Sequence, residues 1–233
     1  MATPLDLSRE TEIIRLIKLL KGLDFIVVGG YAVDAYTLHR FSIDLDIVIN
    51  GTDTKTIESL LEGEQYKQGV IKDDFDLTYS GKYKQYLKDR VSVDMLINSL
   101  VSRTTMASWS FQTILENSNK RLVKGLTESV EAMVPVKELL ISMKLHSGRI
   151  TDIRDIVMLS DEVDMDKVLN LSKRGDMTIL KGIFVKYDEL LQSKNFIDSL
   201  KGVFSLSTKR RGDRIEASVN KTRKMLEFLR KHI

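Results

Sequence analysis

Two aspartates separated by a single residue, Asp44 and Asp46, form the pattern in this sequence that most clearly suggests chemistry. The segment 44–49 alternates polar and apolar residues before becoming wholly apolar, which predicts a strand entering a core. Residues i and i+2 of a strand point to one face, so the two carboxylates repel each other. A divalent cation relieves that repulsion, and Mg²⁺ typically takes one or two protein carboxylates together with substrate phosphates.

A third acid and a glycine pair fit the same chemistry. Asp94 lies in the middle of a predicted strand, 91–97, where an acid is costly unless it faces a functional cleft or a partner. Gly29 and Gly30 separate a short apolar strand from a helix predicted over 31–38. Glycine lets backbone N–H groups approach a phosphate closely, and a helix N-terminus adds partial positive charge. The set predicts a site where two metal ions hold phosphates for in-line displacement at phosphorus.

The elements that must position these residues belong to an α+β first half of the chain. A helix capped by Ser8 is predicted near the N-terminus, and a second helix is predicted over 52–62. One or two short strands are expected between 66 and 86. Residues 104–117 are predicted to be helical, and 122–136 to contain a small hairpin.

The second half of the chain shows little strand signal. Helices are predicted over 136–147, 152–161, 165–173, 177–200 and 210–231. We therefore expect two domains, a catalytic domain over 1–135 and a helical C-terminal domain over 136–233.

The composition limits the kinds of site that the protein can contain and the cellular compartment in which it is expected. The chain has 36 Lys and Arg against 33 Asp and Glu, so its formal charge of +3 does not by itself indicate a nucleic-acid partner. It contains no cysteine, which excludes disulfides, zinc–thiolate sites and cysteine nucleophiles. Neither an apolar run of about 18 residues nor a secretion signal is found, so a cytoplasmic protein without a membrane partner is expected.

The C-terminal segment 209–233 is biased toward positive charge. It carries nine Lys or Arg against three acids, a net charge of +6 that leaves −3 on the rest of the chain. Such a run is typical of a solvated helix face, or of a surface that contacts a phosphate backbone.

The glycine pair followed, after thirteen intervening residues, by Asp44-Leu45-Asp46 resembles the signature of the DNA polymerase β-like nucleotidyltransferase superfamily. Asp94 occupies the place of that superfamily's third carboxylate. The sequence around these motifs resembles sequences of the branch that includes abortive-infection toxins of the AbiEii type and minimal nucleotidyltransferases. Lys144 followed by the segment 149–155 is similar to a motif in that branch's helical half, although Thr151 stands where lysine is commoner.

The resemblance implies a nucleotidyltransferase-like mixed β-sheet backed by helices, followed by an all-helical C-terminal domain. It also implies an NTP substrate and Mg²⁺, or Mn²⁺, held by the three aspartates, with Asp94 assisting deprotonation of the acceptor hydroxyl. The nucleotide-binding residues implied by the resemblance are Gly29, Gly30, Arg40, Ser42 and Lys144. Asp152 and Asp155 are candidates for a second-domain site, or for capping the helix that follows.

Three functions remain open from the sequence. The first is transfer of a nucleoside monophosphate to an RNA or tRNA end or to a protein side chain, within a toxin–antitoxin or phage-defence system and with a cognate antitoxin or toxin as partner. The second is a catalytically idle binding module, such as an antitoxin or adaptor. The third is a small-molecule nucleotidyltransferase of the aminoglycoside-modifying kind.

Overall fold

The computed structural model describes residues 4–37, 42–203 and 209–233, and it divides them into two compact units. The described residues up to 136 form the first unit, apart from 36–37 and 102–107. Those two short segments group with the residues after 136 in the second unit. The assignment of 1–135 and 136–233 as functional domains stays a prediction.

A mixed five-stranded sheet organises the first unit. The strands of the chain are β1 (Phe25–Val28), β2 (Asp44–Ile49), β3 (Lys67–Asp76), β4 (Gly81–Lys88), β5 (Val91–Ile97), β6 (Ser99–Ser102), β7 (Ala107–Ser110), β8 (Ser118–Lys124) and β9 (Ser129–Pro135). The sheet order is β1-β2-β5-β4-β3, with β2 and β5 parallel and the other neighbours antiparallel. The pairs β6-β7 and β8-β9 form separate two-stranded sheets.

Helices account for most of the remaining described structure. They are α1 (Pro4–Leu19), α2 (Gly29–Asp34), α3 (Thr54–Gly63), α4 (Phe111–Glu116), α5 (Lys137–Ser147), α6 (Ile150–Leu159), α7 (Met165–Ser172), α8 (Met177–Gln192), α9 (Lys194–Val203) and α10 (Lys209–His232). The predicted fold class, a mixed sheet backed by helices and followed by further helices, is confirmed. No helix in the described part of the chain is both long and apolar enough to cross a membrane.

The helices α1 and α3 cover one face of the central sheet. On β4, Lys84 pairs with Glu58 of α3, and Lys88 reaches Glu12 of α1 at 3.3 Å. Even-numbered residues of β4 therefore face these helices. The neighbouring Gln85 points to the opposite face, where it stands beside the predicted acid site.

The strand β3 forms one edge of the sheet, and residues 67–74 are exposed along it. Its pairing with β4 is irregular, because the register shifts between Gln68 and Ile71 and again between Lys72 and Asp76. Val70 and Ile71 lie exposed in this strand.

Several predicted boundaries were wrong for local reasons. Ser8 lies inside α1 and does not cap it, and the helix predicted over 31–38 begins at Gly29 and ends at Asp34. The predicted helix over 104–117 is the strand β7 followed by α4, because Ser110 adopts extended backbone and its hydroxyl caps the helix at Thr113. The helix predicted over 177–200 is divided between α8 and α9 by extended backbone at Ser193.

The second unit encloses a fully buried histidine. Nε2 of His146 lies 3.0 Å from the carbonyl oxygen of Ser172, which can only accept a hydrogen bond, so this nitrogen carries the proton. Nδ1 then accepts a hydrogen bond from the Thr105 hydroxyl at 2.7 Å. Burial lowers the pKa of His146 from 6.5 to about 4, so the ring is neutral at pH 7.

The burial of His146 predicts that the protein becomes less stable as the pH falls. Between pH 6.5 and about 4 the unfolded imidazole binds a proton that the folded one does not, so the free energy of unfolding falls as pH drops through this window. The loss amounts to roughly 3 kcal/mol. We measure the free energy of unfolding with urea at pH 7, 5.5 and 4. We expect His146→Gln to remove this part of its dependence on pH.

The exposed His232 provides the matched control. His232→Gln should keep the slope of the parent protein. If His146→Gln also kept that slope, the neutral buried imidazole would be ruled out.

Candidate active site

The pairing of β2 with β5 brings the three predicted acids together. The strands run parallel, with Asp46 opposite Asp94 and Asp44 opposite Ser92. Paired residues of adjacent strands share a face, and so do residues i and i+2, so all three carboxylates lie on one face. Asp44 stands at the exposed start of β2, and Asp46 and Asp94 are half-buried. The sequence predicted the pair on one strand, and the structure adds the third acid beside it.

Electrostatics at this face penalises the charged form of Asp44. Its pKa is raised, first because its carboxyl group partly loses solvent and second because the negative charge of Asp94 acts on it. The positive charge of Arg9 on α1 opposes this effect and lowers the pKa. Arg9 is thus a neighbour of the site that sequence reasoning missed, because it lies 35 residues away from Asp44 in the chain.

Asp94 is held by donors from β4 and β5. Its Oδ1 accepts hydrogen bonds from Nε2 of Gln85 and from Oγ of Ser92, each at 3.1 Å. The Tyr83 hydroxyl also bonds to this carboxylate, and the pKa of Tyr83 is raised, chiefly by burial and then by the charge of Asp94. Gln85, Ser92 and Tyr83 were not singled out in the sequence, because only the strand register places them around Asp94.

The Tyr83 ring is itself packed. It stacks on Phe75 with ring centroids 5.4 Å apart, and the Lys72 ammonium lies 5.9 Å from its centroid. These contacts fix the orientation of the tyrosine and hence the position of its hydroxyl at Asp94.

Gly29 touches the acid pair from the other side of β2. Its predecessor Val28 pairs with Asp46, and Gly29 adopts a left-handed conformation with φ +66° at the start of α2. A Cβ at Gly29 would lie 1.9 Å from Oδ2 of Asp46, so a side chain there would have to displace that carboxylate. Gly30 is buried in the same turn. The first glycine of the predicted pair therefore lies against an acid of the site.

The remaining predicted nucleotide-binding residues of the first unit are less informative. Ser42 is half-buried, and its carbonyl oxygen accepts a hydrogen bond from the Tyr31 hydroxyl at 3.3 Å. Arg40 lies outside the described residues.

The donor set suits a hard divalent cation, although it is not a closed cage. Carboxylate oxygens are the ligands Mg²⁺ prefers, and a cation between Asp44 and Asp94 would offset the charge that raises the pKa of Asp44. Across the described ranges, no three His, Cys, Asp or Glu side chains are grouped closely enough to hold a metal ion by themselves. The other ligands would have to come from substrate phosphates and water, as is usual for Mg²⁺.

The three predicted residues of the second unit form a buried ionic cluster. The Lys144 ammonium lies 3.0 Å from Oδ1 of Asp152 and 2.6 Å from Oδ2 of Asp155, and all three residues are buried. Asp152 also pairs with the exposed Arg149 at 2.8 Å and accepts a hydrogen bond from Ser147. Burial raises the pKa of Asp152, but the charge of Lys144 and these hydrogen bonds outweigh it and lower the pKa overall. A role for this cluster in substrate binding stays a prediction.

Part of the basic C-terminal run is engaged in ion pairs. Lys221 pairs with Asp161, Arg223 with Asp188 and Lys231 with Glu227. Lys209, Arg210 and Arg211 begin α10, and their side chains lie outside the described ones. The observed pairs favour the solvated-face interpretation for 221–231.

Comparisons with known proteins return remote structural likenesses. No protein-family model matches the sequence, and no curated protein matches it significantly. The solution structure of the antibiotic-resistance factor ANT(2'')-Ia is 15% identical with a TM-score of 0.49, covering 72% of this chain and 90% of that chain. The lincomycin-bound lincosamide antibiotic adenylyltransferase LnuA is 18% identical with a TM-score of 0.44, covering 70% and 99%. The STING-associated CdnE c-di-GMP synthase from Capnocytophaga granulosa is 12% identical with a TM-score of 0.28, covering 99% and 84%. Likenesses this remote carry no conclusion about the activity of this chain.

The contact between Gly29 and Asp46 predicts a steric penalty that a second glycine can calibrate. Gly22 also has positive φ, +99°, but a Cβ there meets nothing within 4 Å. Gly22→Ala should cost about 1 kcal/mol of unfolding free energy from backbone strain alone. Gly29→Ala should cost about 2–3 kcal/mol, since the clash adds to the strain.

A double-mutant cycle separates the two terms. In an Asp46→Ala background most of the excess cost of Gly29→Ala over Gly22→Ala should disappear in urea unfolding, because only the Cβ of residue 46, 3.1 Å away, remains. An unchanged excess would mean that Gly29 does not contact Asp46.

The buried cluster predicts a large effect on stability. Lys144→Met leaves Asp152 and Asp155 facing each other in the interior, and we expect a loss of about 3–5 kcal/mol. Lys221→Met removes an exposed ion pair and should cost about 1 kcal/mol or less. Equal effects of the two variants in chemical denaturation would contradict the burial of Lys144.

Proposed function

We propose that this protein is a divalent-metal-dependent nucleotidyltransferase that moves a nucleoside monophosphate from an NTP to an acceptor hydroxyl. The observation that carries the proposal is the convergence of Asp44, Asp46 and Asp94 on one sheet face. Gly29 supports it, because its missing side chain leaves backbone directly against Asp46. Carboxylates gathered on one face near the start of parallel strands, beside a glycine turn, suit a metal–triphosphate substrate better than a structural role.

Each residue receives a role from its position. Asp44 and Asp46 would hold Mg²⁺ or Mn²⁺, and Asp94 would complete one of the metal positions. Bound metal ions would neutralise triphosphate charge and polarise the reacting phosphorus. The backbone at Gly29 and Gly30 would hold the triphosphate, and Arg40 and Ser42 would contact it.

The nucleoside monophosphate is then transferred by nucleophilic displacement at the α-phosphorus. The acceptor oxygen forms a bond to this phosphorus as the bond to the bridging oxygen of the β-phosphate breaks, and pyrophosphate leaves. The acceptor proton passes toward Asp94. Hydrogen bonds from Gln85, Ser92 and Tyr83 fix the orientation of that carboxylate, so that it can assist this step.

The acceptor hydroxyl belongs, in this proposal, to an RNA or tRNA end or to a protein side chain. A toxin–antitoxin or phage-defence setting in the cytoplasm, with a cognate antitoxin or toxin, completes the proposed context and rests on the resemblance of the motifs.

Transfer of label tests the proposal. The protein is incubated with each α-labelled NTP, Mg²⁺ or Mn²⁺, and total RNA or cell lysate, and labelled RNA or protein is measured. Asp46→Asn should lower the rate of labelling by roughly a hundredfold or more, because the acid pair loses a charged ligand. The exposed Asp24, which precedes β1 at the opposite end of the sheet, offers the matched control Asp24→Asn, and its rate should equal that of the parent.

Calorimetry of NTP binding distinguishes the enzyme from the idle binding module. The proposed enzyme should bind NTP much more tightly in Mg²⁺ than in EDTA, because the bare triphosphate is repelled by the acid face. Equal affinity in both buffers together with no labelling by any NTP would reject catalysis and leave the binding module.

A further inference from the structure

A cleft of about 610 Å³ lies in the first unit between α1 and the turn that joins β4 to β5. The charged residues that line it are Arg9, Glu12, Lys88, Asp89 and Arg90, and Val91 closes it at the start of β5. Neither the predicted metal site nor the glycine turn includes these residues.

The strand register places the cleft next to the acids. Val91 immediately precedes Ser92, and Ser92 stands opposite Asp44. The cleft is therefore at the end of the sheet where β2 and β5 begin, on the face that α1 covers, whereas the acids lie on the other face. The charge of Arg9 acts on Asp44 around this end of the sheet. Gly29 follows β1, which pairs with β2 on the side away from β5, so the cleft and the glycine turn lie on opposite sides of β2 at the same end of the sheet.

The charges of the cleft do not all cancel within it. Lys88 forms an ion pair with Glu12 at 3.3 Å, and Glu12 forms a second ion pair with Arg15 at 2.8 Å. Of the described residues that line the cleft, this leaves the two positive charges of Arg9 and Arg90 and the one negative charge of the exposed Asp89.

The Arg9 side chain contains an unsatisfied hydrogen-bond donor. Its Nε is buried and has no hydrogen-bond partner among the described residues. A guanidinium presents several N–H donors in a planar fork that matches the oxygens of a phosphate. An anion with several oxygens would offset the local excess of positive charge, and a shift of the Arg9 side chain would bring its buried Nε to that anion.

We propose that this cleft binds a phosphate group through Arg9 and Arg90. Its place across β2 from the glycine turn assigns that phosphate to the backbone of a nucleic-acid acceptor, whose terminal hydroxyl would reach the acids around the end of the sheet. This assignment to the acceptor rests on the proposed function, but the binding of phosphate does not.

Two probes distinguish the sources of phosphate. Affinities for tripolyphosphate and for a short single-stranded RNA are measured by titration in EDTA, so that metal bridging at Asp44 and Asp46 contributes nothing. Arg9→Gln and Arg90→Gln should each weaken RNA binding roughly tenfold. Each should also reduce the slope of log affinity against log salt by about 0.7 per lost contact.

A charge change of the opposite sign sharpens the test. Asp89 has a positive φ of 51°, which asparagine tolerates, so Asp89→Asn keeps the turn and removes the acid. This variant should tighten RNA binding. Lys18→Gln, an exposed change on the same helix α1 outside the cleft, should leave it unchanged.

The outcomes separate this inference from the proposed function. Weaker RNA binding in both arginine variants supports the acceptor site, and weaker tripolyphosphate binding alone assigns the phosphate to the nucleotide and overturns the acceptor assignment. Unchanged binding of both probes overturns the cleft as a phosphate site even if Asp46→Asn abolishes labelling. RNA binding that depends on Arg9 in a protein that labels no acceptor would reject the nucleotidyltransferase instead.

Discussion

The register between β2 and β5 is the constraint on which the rest of the first unit depends. It fixes two carboxylates, Asp46 and Asp94, side by side on neighbouring strands. At the strand spacing of about 5 Å and an effective dielectric near 20, their repulsion is about 3 kcal/mol before solvent screening. Arg9 supplies positive charge beside Asp44, and Gln85 and Ser92 donate to Asp94. The surroundings of the acids are thus arranged to tolerate them rather than to neutralise them.

Other acids of the chain show what a structural carboxylate looks like here. Asp76 is buried, and its carboxylate accepts hydrogen bonds from Ser99 at 2.6 Å and from Ser108, while its other oxygen accepts from the Thr78 N–H. Burial raises the pKa of Asp76, but these hydrogen bonds outweigh it and the pKa is lowered. The pKa of Asp44 moves the other way. This difference in direction separates an acid that the fold satisfies with hydrogen bonds from one that loses solvent beside another negative charge.

How far the sequence predicted this site depends on the range of the contacts. Asp44 and Asp46 could be placed on one face, because the period of a strand is local information. Gly29 could be placed near a turn for the same reason. The neighbours Tyr83 and Arg9 could not, because strand pairing and helix packing bring them in from distant positions.

The same limit applies to the helical half. Lys144 and Asp152 stand close in sequence, across a turn at Gly148 with φ +67°, and both were singled out as site residues. Their types fit a phosphate contact as well as an internal ion pair. Only their burial, which depends on the packing of whole helices, shows that the lysine faces two aspartates.

The edge strand β3 has a consequence for how this protein behaves at high concentration. A straight exposed edge offers unpaired N–H and C=O groups to another sheet and promotes aggregation. In β3 two register shifts interrupt that template, one between Gln68 and Ile71, where the exposed Val70 lies, and one between Lys72 and Asp76. The charges of Lys67, Lys72 and Asp73 add a desolvation cost to any strand that would add there. The irregular pairing with β4 therefore protects the sheet from joining its copies edge to edge.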